Sequence, residues 1–315
     1  MTSNRIFVAA TLLSLLAAVS PALAQGGDTA TVQTVVTAVA KSKENPAPLR
    51  RQDIEVQVGG RSAQITDLVP LQGEKAGLEL VILIDGSARS SIGTQLRDIE
   101  LFVKSLPPTT AVGIAYMENG RAAFSQPLTA DKIAALKALR LPAGSPGSTG
   151  SPYFCLSDLA KHWPSNNREN RREVVMITDG VDPYNLRFDP DNPYVQAAID
   201  DSVRAGIIVN SIYWQNRGRY DANFYQNNAG ESLLDQVAQV TGGKAYWQGV
   251  GDPVSFAPFF DDLSHRLQNQ YELGFEAPAK SKPGIENLKV RLNEPEVRIE
   301  APQRVMVAPQ AVARQ

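Results

Sequence analysis

Leu78-Glu79-Leu80-Val81-Ile82-Leu83-Ile84 runs directly into Asp85-Gly86-Ser87-Ala88-Arg89, and Val174-Val175-Met176-Ile177 runs into Thr178-Asp179-Gly180. A short continuous apolar run that ends on a polar turn reads as a strand covered on both faces, the kind a parallel sheet requires. In open α/β sheets, ligands gather in the crevice beyond the carboxyl ends of such strands, so the two acidic turns predict one polar rim. Carboxylates and hydroxyls placed there suit a hard divalent cation, Mg²⁺ or Mn²⁺, which takes oxygen ligands and keeps some waters for a partner to displace.

Working outward, residues 78–84, 111–117, 121–124, 173–178, 207–214 and 244–247 read as strands. Between them apolar residues recur at helical spacing: Ile92, Leu96, Ile99 and Val103; then Ile133, Leu136 and Leu139 behind a Thr129 cap; then Leu233, Leu234, Val237 and Val240 ahead of Gly242. Residues 256–270 read as a last helix. Strands alternating with helices imply βαβ units, so the fold class is α/β, a Rossmann-like core over residues 76–270 with a mostly parallel central sheet flanked by helices. Ahead of it, Ile54, Val56 and Val58 alternate with polar residues within a small antiparallel β module over residues 30–75. Behind it, Tyr271-Glu272-Leu273-Gly274-Phe275 and the runs 288–292 and 297–299 form a C-terminal β segment over residues 271–305. Two short β pieces are each marginal alone, so they are expected to pack together. Residues 301–315 show little periodicity, and 306–315 read as a tail.

The chain has 315 residues, 43% of them hydrophobic, which is enough for one sizeable core with small appendages. A formal net charge of −2 argues against a general nucleic-acid binder, which needs a basic footprint. The one basic cluster, Arg168, Arg171 and Arg172, is interleaved with Glu169 and Glu173 and reads as a solvated loop of mixed charge. Residues 1–24 carry Arg5, an apolar stretch from Ile6 to Ala18, and Ala22-Leu23-Ala24, the layout of a secretory signal cleaved before Gln25. The expected location is therefore periplasmic or secreted, and no later segment is apolar enough to span a membrane. Cys155 is the sole cysteine and, between Phe154 and Leu156, reads as a small buried hydrophobe. His162 and His265 fall on helical stretches, and the glycine-rich run 144–150 lacks the lysine of a phosphate-cradling loop. No catalytic residue is assigned. The enzyme alternative is a metal-dependent hydrolase, since Asp182 and Asp189-Pro190-Asp191-Asn192 add carboxylates near the rim.

Asp85-x-Ser87-x-Arg89, Gly147-Ser148-Thr149-Gly150-Ser151 and Thr178-Asp179-Gly180 together resemble the three loops of the metal-ion-dependent adhesion site of von Willebrand factor type A domains. Over residues 32–305 the layout also resembles the secreted bacterial proteins of the acidobacterial-type branch of that family. The resemblance implies a protein-binding module without enzymatic activity, with Asp85, Ser87 and Asp179 at the cation and either Ser151 or Thr149 supplying the middle hydroxyl. Arg89 stands where the family pattern has serine. A guanidinium is always protonated and only donates, so it either bridges Asp85 and Asp179 in the metal's place or turns away from them. The loop from Tyr213 to Tyr220 offers Trp214, Arg217 and Tyr220, which with Arg89 are the candidate anchors for a protein partner. The reading is an exported interaction module with a degenerate adhesion site. The alternative is a structural or accessory envelope scaffold.

Overall fold

Strands that are apolar on both faces need a neighbour at each edge and helices above and below, and the chain supplies both. The computed structural model describes residues 29–42, 45–145, 147–216, 224–246 and 251–308. In chain order come β1 (Thr29–Ala40), β2 (Ile54–Val58), β3 (Arg61–Pro70), β4 (Leu78–Asp85), α1 (Leu96–Ser105), β5 (Thr110–Glu118), β6 (Arg121–Thr129) and α2 (Lys132–Lys137). There follow α3 (Pro152–Lys161), β7 (Arg171–Thr178), α4 (Pro193–Ala205), β8 (Ile207–Tyr213), α5 (Phe224–Thr241), β9 (Ala245–Tyr246) and α6 (Ala257–Gln268). The last strands are β10 (Gln270–Pro278), β11 (Gly284–Leu292), β12 (Val297–Glu300) and β13 (Arg304–Val307).

A six-stranded sheet runs in the order β6-β5-β4-β7-β8-β9, parallel except for the antiparallel edge strand β6. This is the doubly wound order, and it reverses between β4 and β7, where such sheets form their ligand crevice. The alternation along β4 feeds two cores. Leu80, Ile82 and Ile84 pack on the α1–α6 side, where Phe102 stacks on Phe260 at 4.4 Å. Val81 and Leu83 pack on the other side with Leu156 of α3 and Val237 of α5. Burial of such side chains at about 25 cal/mol per Å² is the main force holding the sheet between its helices.

The second sheet has seven strands in the order β12-β1-β10-β3-β2-β11-β13. The N- and C-terminal β pieces therefore interleave: β1 is flanked by β10 and β12, both from the far end of the chain. Val32, Val36, Val56, Leu273 and Phe275 share its core. Polar ties join the sheets. Gln270 of β10 donates to Glu173 of β7 at 2.6 Å, and Arg304 of β13 reaches Asp200 of α4 at 3.2 Å.

Several elements differ from the sequence expectation. The tail begins later, because Val305 and Val307 alternate into the second core and make β13 a paired strand. The helix at 193–205 escaped notice within an acidic stretch; Asn192 caps it, Pro193 opens it, and Val195, Ala198 and Ile199 bury its inner face. Asp131, not Thr129, caps α2 by accepting from Ile133 and Ala134, while β6 continues through Thr129. Residues 90–95 form a tight 3-10 turn before α1, and Leu139 falls beyond α2. The secretory signal expected at residues 1–24 and the expected strand residue Trp247 fall outside the described residues.

Candidate functional site

The carboxyl end of β4 places Asp85 at the point where the strand order reverses, beside Thr178 at the end of β7. Its side chain is fully buried and receives four donors. The Ser87 amide (2.8 Å) and the Thr149 hydroxyl (2.5 Å) meet Oδ1, while the Thr178 hydroxyl (2.8 Å) and the Asn216 amide (3.2 Å) meet Oδ2. Burial raises the Asp85 carboxyl above its ordinary value, and the hydrogen bonds from Thr149, Ser87, Thr178 and Asn216 oppose that rise. The Ser87 hydroxyl sits 2.8 Å from that of Thr149 and donates to the Ser145 carbonyl at 3.1 Å. Donors from four segments thus meet on one carboxylate.

Of the two candidate middle hydroxyls, Thr149 is the one bonded to Asp85 and Ser87. Ser151 Oγ accepts from the Tyr153 amide and caps α3, with Pro152 in the first turn. Asp179 is buried in the next turn, where Oδ1 accepts from the Val181 amide at 3.1 Å. Its charge is felt by Tyr153 and Tyr213, whose phenols are raised mainly by burial. Burial, together with Asp85 and Asp158, also pushes the Cys155 thiol up, so it stays protonated and unreactive.

Arg89 turns toward Asp252. The guanidinium lies 3.9 Å from that carboxylate, and its backbone amide donates to the Gln215 carbonyl at 3.0 Å. Asp252 also accepts from the Gln215 amide at 2.7 Å, so three segments are gathered there. Trp214 is not a surface anchor: it is 2% exposed, its ring meets Phe256 edge-on at 5.4 Å, and its indole N–H points to the Arg89 carbonyl. Being two residues past Ile212 on the same strand face explains this, since that face is core. Arg217 and Tyr220 lie outside the described residues.

Asn216 is a site residue that the sequence reading does not single out, and Thr178, quoted there as part of the third loop, carries no role of its own until its hydroxyl is seen on Asp85. The signal for Asn216 was positional, three residues beyond β8 at the same rim. The extra carboxylates have other work: Asp182 accepts from Asn192 at 3.0 Å and from the Tyr184 amide, and Asp189 accepts from the Asp191 amide. Among the described residues no group of three or more His, Cys, Asp or Glu side chains is arranged to hold a metal. The set at the rim is instead two carboxylates with three hydroxyls. All are hard oxygen donors, which fits Mg²⁺ or Mn²⁺ and not a softer ion. Among the described residues no helix is long and apolar enough to cross a membrane.

No protein-family model matches the chain, and no curated protein does. Among solved structures it is similar to an aerotolerance-related membrane protein from Bacteroides fragilis, with 18% identity, a TM-score of 0.45, and coverage of 61% of this chain and 98% of that one. The conserved hypothetical protein BatB from Bacteroides thetaiotaomicron is similar at 17% identity and a TM-score of 0.43, covering 61% of this chain and 97% of that one. The ArnB paralog VWA2 from Sulfolobus acidocaldarius is similar at 10% identity and a TM-score of 0.38, covering 88% of this chain and 76% of that one. The strand order of the sheet, and not these likenesses, establishes the Rossmann-like fold.

Proposed function

We propose that this chain is an exported protein-interaction module with a degenerate metal-ion-dependent adhesion site of the von Willebrand factor type A kind. Asp85, Ser87, Thr149 and Asp179, with Ser151 at the edge of the loop, would hold Mg²⁺ or Mn²⁺. The cation would supply a Lewis-acidic position for an oxygen of a protein partner. The observation that carries the reading is the Arg89–Asp252 pair at 3.9 Å, which gives the intruding guanidinium a carboxylate of its own away from Asp85.

Calorimetric titration with Mg²⁺ and Mn²⁺ tests it. Wild type should bind, and Asp179→Ala should not. Arg89→Ser should change affinity by less than about tenfold, because the charge is already directed at Asp252. Asp252→Ala frees the guanidinium and should weaken cation binding by about tenfold or more. Partner capture from an envelope extract should disappear with chelator and in Asp179→Ala. Capture that survives both changes would favour the scaffold reading, with the seven-stranded sheet making the contact.

A further inference from the structure

At the opposite end of the parallel strands from Asp85, a cavity of about 280 Å³ opens between the two sheets. Its walls are the start of β7, the last turn of α4, β13, and parts of β1 and β10. Five lining residues are arginine and two are glutamate, Glu169 and Glu272, so positive charges exceed negative ones by three. Three of the arginines have carboxylate partners. Arg204 pairs with Asp200 and Asp201, Arg304 with Asp200, and Arg172 lies 3.6 Å from Glu79.

Arg168 and Arg171 have no carboxylate within 4.0 Å among the described residues. Arg168 donates to the Ala205 carbonyl at 3.3 Å, and Arg171 donates to the Ala76 and Leu267 carbonyls at 3.1 and 3.2 Å. Carbonyls satisfy N–H groups without cancelling a charge, and the Arg171 Nε is buried without any acceptor. Glu173, whose oxygens accept from the neutral amides of Gln270 and Asn210, offsets part of the Arg171 charge, whereas Arg168 has no such carboxylate among the described residues. Burial lowers the Arg171 guanidinium, and burial followed by the like charge of Arg168 lowers that of Arg172. Crowded, partly dry guanidinium groups that line a cavity favour a compact anion over water.

We propose that this cavity binds a phosphate group, free or carried on a small molecule, between Arg168, Arg171 and Arg304. Guanidinium forks match phosphate oxygens, and an anion there answers the charge of Arg168, whose hydrogen bond goes to a carbonyl, and supplies an acceptor for the buried Arg171 Nε. The volume is near the lower end of ordinary ligand cavities, about 300 Å³, which admits a small ester as well as the free ion. Because both sheets line the cavity, an anion there ties them together and stabilises the fold.

The test is calorimetric and thermal-shift titration of the chain with inorganic phosphate and with glycerol 3-phosphate, at ionic strength held constant with chloride. Binding near one equivalent with a raised Tm is expected. Arg168→Gln and, separately, Arg304→Gln should each weaken it by about tenfold or more while leaving the circular dichroism unchanged. Tighter binding of the ester assigns the site to a small phosphorylated molecule, and equal binding assigns it to the free ion; both support the proposal. Absence of binding by either ligand overturns it, as does affinity unchanged in both variants. Asp179→Ala must bind phosphate like wild type, since loss there would place the anion at the other rim.

Discussion

At the scale of single residues, the chain puts two buried carboxylates to different uses. Asp85 is an acceptor hub. Replacing it with alanine leaves the Thr149, Thr178, Asn216 and Ser87 donors without their common acceptor, at a cost of about 3 kcal/mol that urea unfolding in the presence of chelator should register. Glu173 is a joint between the sheets. Its burial raises the carboxyl above 4.5, and this outweighs the opposing effects of Arg171, Gln270, Asn210 and Arg266. The folded protein therefore holds this proton more tightly than the unfolded chain does. The stability that follows is fully present below 4.5 and is lost as pH rises through the raised folded value. Glu173→Gln is neutral throughout, so wild type should lose stability relative to it as pH rises from 4.5 through the raised folded value. Urea unfolding of both proteins across that window is the check, and a difference that stays flat or moves in favour of wild type contradicts the assignment.

At the scale of elements, the turn after β7 is set by a helix that approaches unusually closely. Gly180 has φ +67°, and a Cβ there would lie 2.6 Å from the Gly230 carbonyl of α5. A Cβ on Gly230 would in turn lie 2.2 Å from the Asp179 carbonyl. Glycine to alanine inside a helix ordinarily stabilises by roughly 0.8–1.0 kcal/mol. Here the sign should reverse: Gly230→Ala pushes α5 off the Thr178–Gly180 turn, lowers Tm, and displaces Asp179 from the rim. A thermal melt that rises would show that the helix shifts at no cost. The six-residue α2 and the cap of α4 follow the same logic of local satisfaction, with Asp131 and Asn192 each accepting two backbone amides.

At the scale of the whole molecule, the seven-stranded sheet cannot be built from either end of the chain. Expressed alone, residues 29–75 would keep only the β2–β3 hairpin, because β1 draws its neighbours from β10 and β12. Circular dichroism of that fragment should show no stable sheet, and mixing it with residues 76–315 should restore ordered signal. An independently folded fragment would mean that the interleaving contributes little.

The doubly wound core was legible in the sequence because its signals are local. Continuous Val/Ile/Leu runs, helical spacing between them, and acidic turns at Asp85 and Asp179 follow from which residues stand next to one another. What escaped was whatever depends on residues far apart. Asn216 reaches Asp85 across 131 positions, and its only local mark is its place three residues beyond β8. The choice of Thr149 over Ser151 as the hydroxyl bonded to Asp85 rests on how the loop folds back, since either residue type suits the chemistry. Trp214 reads as an anchor along the chain and is core in space, because the face a strand residue occupies is decided by what packs on the sheet. Arg168 and Arg171 read as a solvated loop until the tertiary fold sets Arg304 and the end of α4 opposite them. Sequence determined the six strands of the parallel-rich sheet, their order of appearance and the chemistry at their ends. Tertiary structure alone decided which distant side chains share a dry site, because burial and charge pairing are properties of neighbours in space.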